Sequence, residues 1–282
     1  MVATPTEPKP LDILILAAGL GTRMRSSLAK VLHEVDGRPL ISHVCRTAAA
    51  LGPAKIYVVV GHQGGDVSKA VLQELAEDQA VFVEQKEQLG TGDAVNSARG
   101  FLHDRDSTLL ILSGDVPLIR PETLAGLIQQ HHSHRGRGAS CTMLTVKLKD
   151  PTGYGRIVRG DDGAFERIVE QKDATDEERD IREINAGIYC FDTKKLFAAL
   201  NSVQNNNSQG EYYLTDVPAL LKAAGDDVSI FQHADTQEIE GVNNRAQLAD
   251  IERMVRRRTL SRLMLDYGVT FIDPKNDYVR VG

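Results

Sequence analysis

Near-continuous apolar strands that stop on a glycine constrain this chain most. DILILAAG (residues 12–19), KIYVVVG (55–61) and STLLILSGD (107–115) are apolar almost throughout. Strands of that kind are covered on both faces, which is the condition of a parallel sheet between two layers of helices. The segments between them supply the helices. Apolar spacing predicts one helix over about 40–51 and another over about 66–77. A turn and helix follow in QLGTGDAVNSARGFL, with AVFVEQ as a further strand. The expected fold is α/β, doubly wound and Rossmann-like, with a mostly parallel mixed sheet.

From about residue 138 the pattern changes. ASCTMLTVKL and INAGIYCFD read as strands, while YGRIVRGDDGAFERIVEQ reads as a hairpin closed by an Asp-Asp-Gly turn. A helix, the Asn-rich loop NSVQNNNSQGEYY, the helix LTDVPALLKAAG and the strand VSIFQHA follow. A long helix is predicted from about 244 to 267.

Bulk properties exclude several classes. A formal net charge of −6 over 282 residues argues against a general nucleic-acid binder. Cys45, Cys141 and Cys190 are far apart and form no C-x-x-C pair, so they read as buried small hydrophobes in a reducing compartment. MVATPTEPKP carries three prolines and no apolar run, and reads as a loose lead-in over 1–10. No apolar stretch approaches membrane-spanning length. The expected location is the cytoplasm, with no membrane attachment.

The turn in LILAAGLGTRM is the first candidate site. It is not the dinucleotide fingerprint, because Met24 stands where the third glycine belongs, and it is not a P-loop, because no Gly-Lys-Ser/Thr run follows Gly21. Its backbone N–H groups nevertheless suit phosphate oxygens, and Arg23 and Lys30 add two full charges just beyond it. Solvated surface cations are the competing reading. Asp115 ends the strand of the SGD segment at the carboxyl edge of the sheet, where open α/β sheets place ligands. It is the metal-ligand candidate, against an Asx turn. In VNNR, Asn244 with Gln247 suits a helix cap, which leaves Asn243 free to coordinate.

At this point the sequence resembles a family. LAAGLGTRM, KVLH and GRPLISHV are similar to the start of sugar-nucleotide pyrophosphorylases. The nearest resemblance is to the uridyltransferase half of bacterial bifunctional N-acetylglucosamine-1-phosphate uridyltransferase/glucosamine-1-phosphate acetyltransferases. EQLGTGDAV, GDVPLI, DPTGYGRIVR, IVEQKDATDEE, EINAGIY, NNNSQGEYYLTD and EGVNNR continue it in order. The resemblance implies a nucleotidyltransferase domain over 11–243, with a nucleotide-binding half (11–137), a sugar-binding half (138–243) and a C-terminal helix and tail (244–282). It implies the joining of UTP to N-acetylglucosamine 1-phosphate, giving UDP-N-acetylglucosamine and pyrophosphate for bacterial cell-envelope precursors, with Mg²⁺ as cofactor.

The same resemblance implies roles residue by residue. Arg23 contacts the UTP phosphates, and Lys30 lies near the α-phosphate and the sugar phosphate. Asp115 and Asn243 hold Mg²⁺. Gln85, Gly90 and Thr91, with the backbone of Leu16, Ala17, Ala18 and Gly19, meet uracil; the Gln85 amide offers both a donor and an acceptor to an imide edge. Gly155, Glu170, Asn185 and Thr215 meet the sugar. For Glu170 the competing reading is a solvated charge run, since EQKDATDEERD is rich in charge. One departure stands at Ala29, where the family commonly has proline before the lysine, a residue that would stiffen the loop.

Two features are set aside. His131, His132 and His134 read as the polar end of a helix stopped by Gly136, with metal binding as the minority reading. RMVRRRTL reads as a solvated basic face opposite Leu248, Ile251 and Val255. The family continues into a β-helix of hexapeptide repeats, which does not follow FIDPKNDYVRVG, so the acetyltransferase activity is not expected here and a monomer is the default. No protein partner is required by this reading. The alternatives are the same chemistry on glucose 1-phosphate and a nucleotide-binding regulatory module without turnover. A dehydrogenase is disfavoured by Met24.

Overall fold

The computed structural model describes residues 9–275 and residue 279. Residues 1–8 of the expected lead-in lie outside the described residues. Lys9 and Pro10 do not: the Lys9 ammonium sits 2.6 Å from Asp106 and 2.8 Å from Asp192, and the Pro10 carbonyl accepts from the Thr108 N–H at 2.9 Å.

Strands β1 (Leu11–Leu16), β4 (Lys55–Val60), β5 (Ala80–Glu84), β6 (Thr108–Ser113), β7 (Cys141–Lys147), β10 (Glu183–Asp192) and β11 (Val228–Gln232) build one sheet in the order β11-β7-β10-β6-β1-β4-β5. Only β10 runs against its neighbours in that row. Strands β8 (Arg156–Arg159) and β9 (Phe165–Val169) form the expected hairpin, attached where Arg156 pairs with Ile184 of β10. A short pair, β2 (Glu34–Val35) and β3 (Arg38–Pro39), leads into α1 (Leu40–Ala49).

The strands are apolar throughout because each alternates its side chains between two cores. Ile13 and Ile15 of β1 face one way with Val58, Leu110, Leu112 and Val146, beneath α1, α2 (Gly64–Leu72) and α5 (Pro121–Ser133). Leu14 faces the other way with Tyr57, Val59, Ile111 and Phe191. That second layer is covered by α3 (Thr91–Ser97), α4 (Arg99–Leu102), α7 (Thr193–Leu200) and α8 (Val217–Ala223). Helix α6 (Asp176–Arg179) is one turn held by a capping box between Thr175 and Glu178. Among the described residues no helix is long and apolar enough to cross a membrane.

Helix α2 starts at Gly64 and stops at Leu72, earlier at both ends than its apolar spacing predicts. Its start is fixed by Gln63, which holds a left-handed φ of 58° before it. Helix α9 (Arg245–Tyr267) is capped as expected: Asn244 Oδ1 accepts from the Gln247 N–H at 2.9 Å. Its inner face, with Ile251, Leu248 and Val255, packs on Met24, Val35, Leu40, Leu118 and Val242 in a third, smaller cluster. The basic face is not wholly solvated, since Arg258 Nη1 donates to the Leu118 carbonyl at 3.3 Å. The three cysteines are buried, and burial pushes the Cys45 thiol up to about 12.

Candidate active site

Strand order reverses between β1 and β6: the chain runs outward through β4 and β5, then returns to the other side of β1. In an open α/β sheet, that switch point leaves a crevice at the carboxyl ends of the strands. Two adjoining cavities occupy it. The first, about 480 Å³, is lined by Leu16, Ala17, Ala18, Gly19, Gln85, Gly90, Thr91 and Lys30 among others. The second, about 390 Å³, is lined by Arg23, Gly155, Glu170, Asn185, Thr215 and Asn243 among others. Leu16, Thr91, Ser113 and Asp115 border both.

At that shared border four polar side chains meet. Arg23 Nη2 donates to Asn243 Oδ1 at 3.0 Å, and Lys30 Nζ donates to the same oxygen at 3.4 Å and to Asp115 Oδ2. Each is delivered by a different element. Asp115 follows β6, and Asn243 precedes the α9 cap, its own N–H donating to Gln247 Oε1 at 2.8 Å. Arg23 sits in a single 3₁₀ turn, Thr22–Met24, anchored by the buried Met24 side chain and by Arg245, whose Nε donates to the Met24 carbonyl at 3.3 Å. Met24, which breaks the dinucleotide fingerprint, is thus the plug that aims Arg23.

Lys30 opens a second 3₁₀ turn, Lys30–Leu32. Gly21 is needed there. It has φ 60°, and a Cβ on it would stand 2.6 Å from the Lys30 Cβ. The Ala29 departure has a local answer: the Ala29 N–H, which proline would lack, donates to Gln63 Oε1 at 2.6 Å. Non-glycine residues rarely hold a left-handed φ, and Gln63 does so while its side chain pins the residue before Lys30.

In the larger cavity, Gln85 follows β5 and is 6% exposed. Gly90 carries φ 112° against the Tyr212 carbonyl, 2.6 Å from where its Cβ would lie. Thr91 Oγ1 accepts from the Leu214 N–H at 3.1 Å, clasping the GTG turn to the EYYLTD segment. Gln88, which the sequence reading missed, also lines this cavity and donates to the Ala18 carbonyl at 2.7 Å. Nothing in the linear pattern separates it from its polar neighbours; only the fold brings it 70 residues back to the turn.

In the smaller cavity, Thr215 Oγ1 donates to Glu170 Oε1 at 3.0 Å. Burial pushes the Glu170 carboxyl up, the Thr215 bond opposes that, and the carboxylates of Asp173, Asp216 and Glu211 add to it. Glu170 is therefore no part of a solvated run. Asn185 spends part of its capacity on the scaffold: Nδ2 donates to the Tyr189 hydroxyl at 2.6 Å and Oδ1 accepts from the Gly187 N–H at 3.2 Å. These bonds hold the irregularity in β10 between Asn185 and Tyr189. Gly155 borders Glu170, and a Cβ there would meet Ile168 at 3.0 Å. Tyr154 also lines this cavity.

The fifteen sequence-predicted residues therefore divide between two joined cavities, with the phosphate-type cations and the metal-type oxygens at the junction. No histidine or cysteine lines either cavity among the described residues. His131 and His132 turn inward at the far end of α5. His131 Nδ1 lies 3.1 Å from Thr142 Oγ1, and His132 Nε2 lies 2.9 Å from Thr108 Oγ1. Burial, with His132 alongside, pushes His131 down to about 4.

A family model described as the MobA-like NTP transferase domain matches residues 13–175. The chain belongs to the MobA-like NTP transferase domain family. The matched span of that domain carries Arg23, Lys30, Gln85, Asp115 and Glu170. Similar curated proteins include the "Bifunctional protein GlmU" of Latilactobacillus sakei, 46% identical over 271 residues, covering 96% of this chain and 57% of that protein. The protein of the same name from Halalkalibacterium halodurans is 47% identical over 266 residues, covering 94% of this chain and 56% of that protein. The chain thus spans about half the length of the curated relatives it matches. Among solved structures, a UDP-glucose pyrophosphorylase complexed with UDP-glucose shares the NTP transferase fold at TM-score 0.71. It has 17% identity, with 88% of this chain and 99% of that one covered. The inositol-1-phosphate CTP transferase from T. maritima does so at TM-score 0.67 and 18% identity, with 94% of this chain and 100% of that one covered.

Proposed function

We propose that this chain joins UTP to N-acetylglucosamine 1-phosphate, releasing pyrophosphate and forming UDP-N-acetylglucosamine. The observation that carries the reading is the meeting of Arg23, Lys30, Asp115 and Asn243 where the two cavities join. The nucleotide fills the cavity bordered by Gln85 and Gly90, and the sugar fills the one bordered by Glu170, Asn185 and Thr215. Their phosphates meet at the cations. On this reading residues 11–137 form the nucleotide half and 138–243 the sugar half.

The chemistry needs no general base. A phosphate monoester has a second pKa near ~6, so at neutral pH its attacking oxygen is already largely unprotonated. One bond forms from that oxygen to the α-phosphorus, and the bond from the α-phosphorus to the pyrophosphate oxygen breaks. The obstacle is bringing two anions together in line, so catalysis falls to positioning and charge neutralisation. Arg23 holds the triphosphate and Lys30 stands between the α-phosphate and the incoming phosphate.

Asp115 and Asn243 fit a hard divalent cation. One carboxylate and one amide oxygen approach a single positive charge, the Lys30 ammonium, in the structure. Mg²⁺ takes one or two protein oxygens, with substrate phosphates and waters completing its shell. When bound there, Mg²⁺ supplies neutralisation of phosphate charge. The reading places the chain in the cytoplasm of a bacterium making cell-envelope precursors, with no nucleic acid, membrane or protein partner required.

The test is pyrophosphate release from UTP with Mg²⁺ and three separate acceptors: N-acetylglucosamine 1-phosphate, glucosamine 1-phosphate and glucose 1-phosphate. Strong preference for the first is expected. Release with glucose 1-phosphate instead would keep the mechanism and replace the substrate, and UTP binding without release from any acceptor would mark a regulatory module.

A further inference from the structure

Gln85 is an amide, and an amide can turn either end to a ligand at almost no cost unless its neighbours decide. Here they do. Gln85 Nε2 donates to Asp93 Oδ2 at 2.8 Å and to the Gly90 carbonyl at 3.4 Å. A carboxylate and a carbonyl only accept, so the NH₂ group must face them and the carbonyl oxygen must face away. Gln85 Oε1 has no hydrogen-bond partner among the described residues, and Gln85 lines the nucleotide cavity.

Asp93 itself does not line that cavity. It borders a separate groove behind α3 with Asn96, Arg99 and Asn201. It sits in the first turn of α3, where a negative charge is favoured by the helix dipole. Among the described residues, its carboxylate makes its hydrogen bond toward that cavity with Gln85.

We propose that Asp93 sets base selectivity by locking the Gln85 amide so that only its oxygen is presented to the base. The inference rests on the uridylyl-transfer reading. An acceptor at that place pairs with the N3–H of an imide such as uracil. Cytosine carries a bare N3 lone pair there, so two acceptors would oppose each other in a buried site and both would go unsatisfied. Without Asp93 only the long 3.4 Å bond to the Gly90 carbonyl still favours this orientation, so the amide can turn and its NH₂ end then satisfies cytosine N3. Asp93 is a positioning residue, and its effect appears in selectivity before it appears in turnover.

The experiment compares UTP and CTP, each with Mg²⁺, on the full chain by titration calorimetry, and by pyrophosphate release with N-acetylglucosamine 1-phosphate. Wild type is expected to prefer UTP. Asp93→Ala is expected to lower the UTP-to-CTP ratio on the order of tenfold or more, as fits the loss of one buried polar discrimination, with CTP binding gained as UTP binding falls. Asp93→Asn, an amide that can offer Gln85 either an acceptor or a donor, is expected to lower the ratio in the same direction but by less than Asp93→Ala. Asp93→Ser, a shorter truncation of this half-buried position, is expected to follow Asp93→Ala and serves if the alanine variant folds poorly. A parallel loss of UTP and CTP binding, leaving the ratio unchanged, would make Asp93 merely structural and overturn the proposal. Wild type without preference for UTP would instead sink the uridylyl-transfer reading, before any variant is compared.

Discussion

Lys30 is held from two sides, and both holds are testable. Its ammonium lies on Asp115 and Asn243, while the residue before it hangs from Gln63. Ala29 has φ −55° and ψ 138°, a conformation that proline adopts without strain, so the hydrogen bond to Gln63 and a proline ring are two ways of fixing the same backbone. Gln63→Ala should therefore lower turnover on the order of tenfold to a hundredfold, as misplacement of a catalytic group does, with KM for UTP little changed. Adding Ala29→Pro to that variant should restore most of the loss, whereas a double variant no faster than Gln63→Ala would show that Gln63 acts elsewhere. The sequence makes Lys30 legible because the glycine turn announces it. It hides Gln63 and Gln88, because a long-range side-chain bond has no period and no spacing. Asp93 is hidden for the same reason.

The β8–β9 hairpin borders the smaller cavity, and its fixing is again internal. Arg156 opens β8 and is 1% exposed, yet it is charged; Nη2 donates to Gln171 Oε1 at 2.7 Å and Nη1 to the Tyr154 carbonyl. Gln171 Oε1 also accepts from the Gly153 N–H at 3.0 Å, so one buried guanidinium ties the loop before β8 to the loop after β9. Arg156→Met should cost about 2 kcal/mol, because the half-buried Tyr154 carbonyl loses this donor and Gln171 Oε1 keeps only the Gly153 N–H, read as a fall in the urea midpoint with unchanged slope. Glu170 closes the same hairpin and makes the opposite prediction. Its folded pKa is raised by burial, so its contribution to stability is full below the unfolded carboxylate value and is lost as pH rises through the folded one. At neutral pH, above the unfolded carboxylate value, the group is thus destabilising, and Glu170→Gln should raise the melting temperature while weakening binding of the proposed sugar phosphate. In wild type that binding should weaken as pH falls through the Glu170 value, and in the variant this pH dependence should be absent. Equal melting temperatures at pH 7 would contradict the argument. The hairpin itself was plain from its Asp-Asp-Gly turn, but the inward course of Glu170 was not, since a charge-rich run usually faces water.

Across the whole molecule, one nine-stranded sheet carries every element of the site on its carboxyl edge, and the two cavities share the residues that end β1 and β6. The fold was readable because strands buried on both faces admit few sheet types, while the location of the junction needed the strand order. That junction couples ligands thermodynamically. Lys30 lies on both oxygens that Mg²⁺ would take, so the ammonium and the dication compete for one place. A triphosphate in the nucleotide cavity gives Lys30 an alternative anion and frees Asp115 and Asn243. Mg²⁺ and UTP should therefore stabilise the fold cooperatively, although each alone does less. A ligand at a hundred times its Kd adds about 2.7 kcal/mol to unfolding, a rise of several degrees in melting temperature for a chain of this size. Mg²⁺ alone at millimolar concentration should move the melting temperature by about a degree or less, on the same linkage argument. UTP alone should move it more, and the two together should exceed the sum. In Lys30→Ala the competitor is gone, so Mg²⁺ alone should now stabilise the protein and the excess over additivity should shrink. Additive shifts in wild type, unchanged by Lys30→Ala, would mean that Lys30 and the cation occupy separate places.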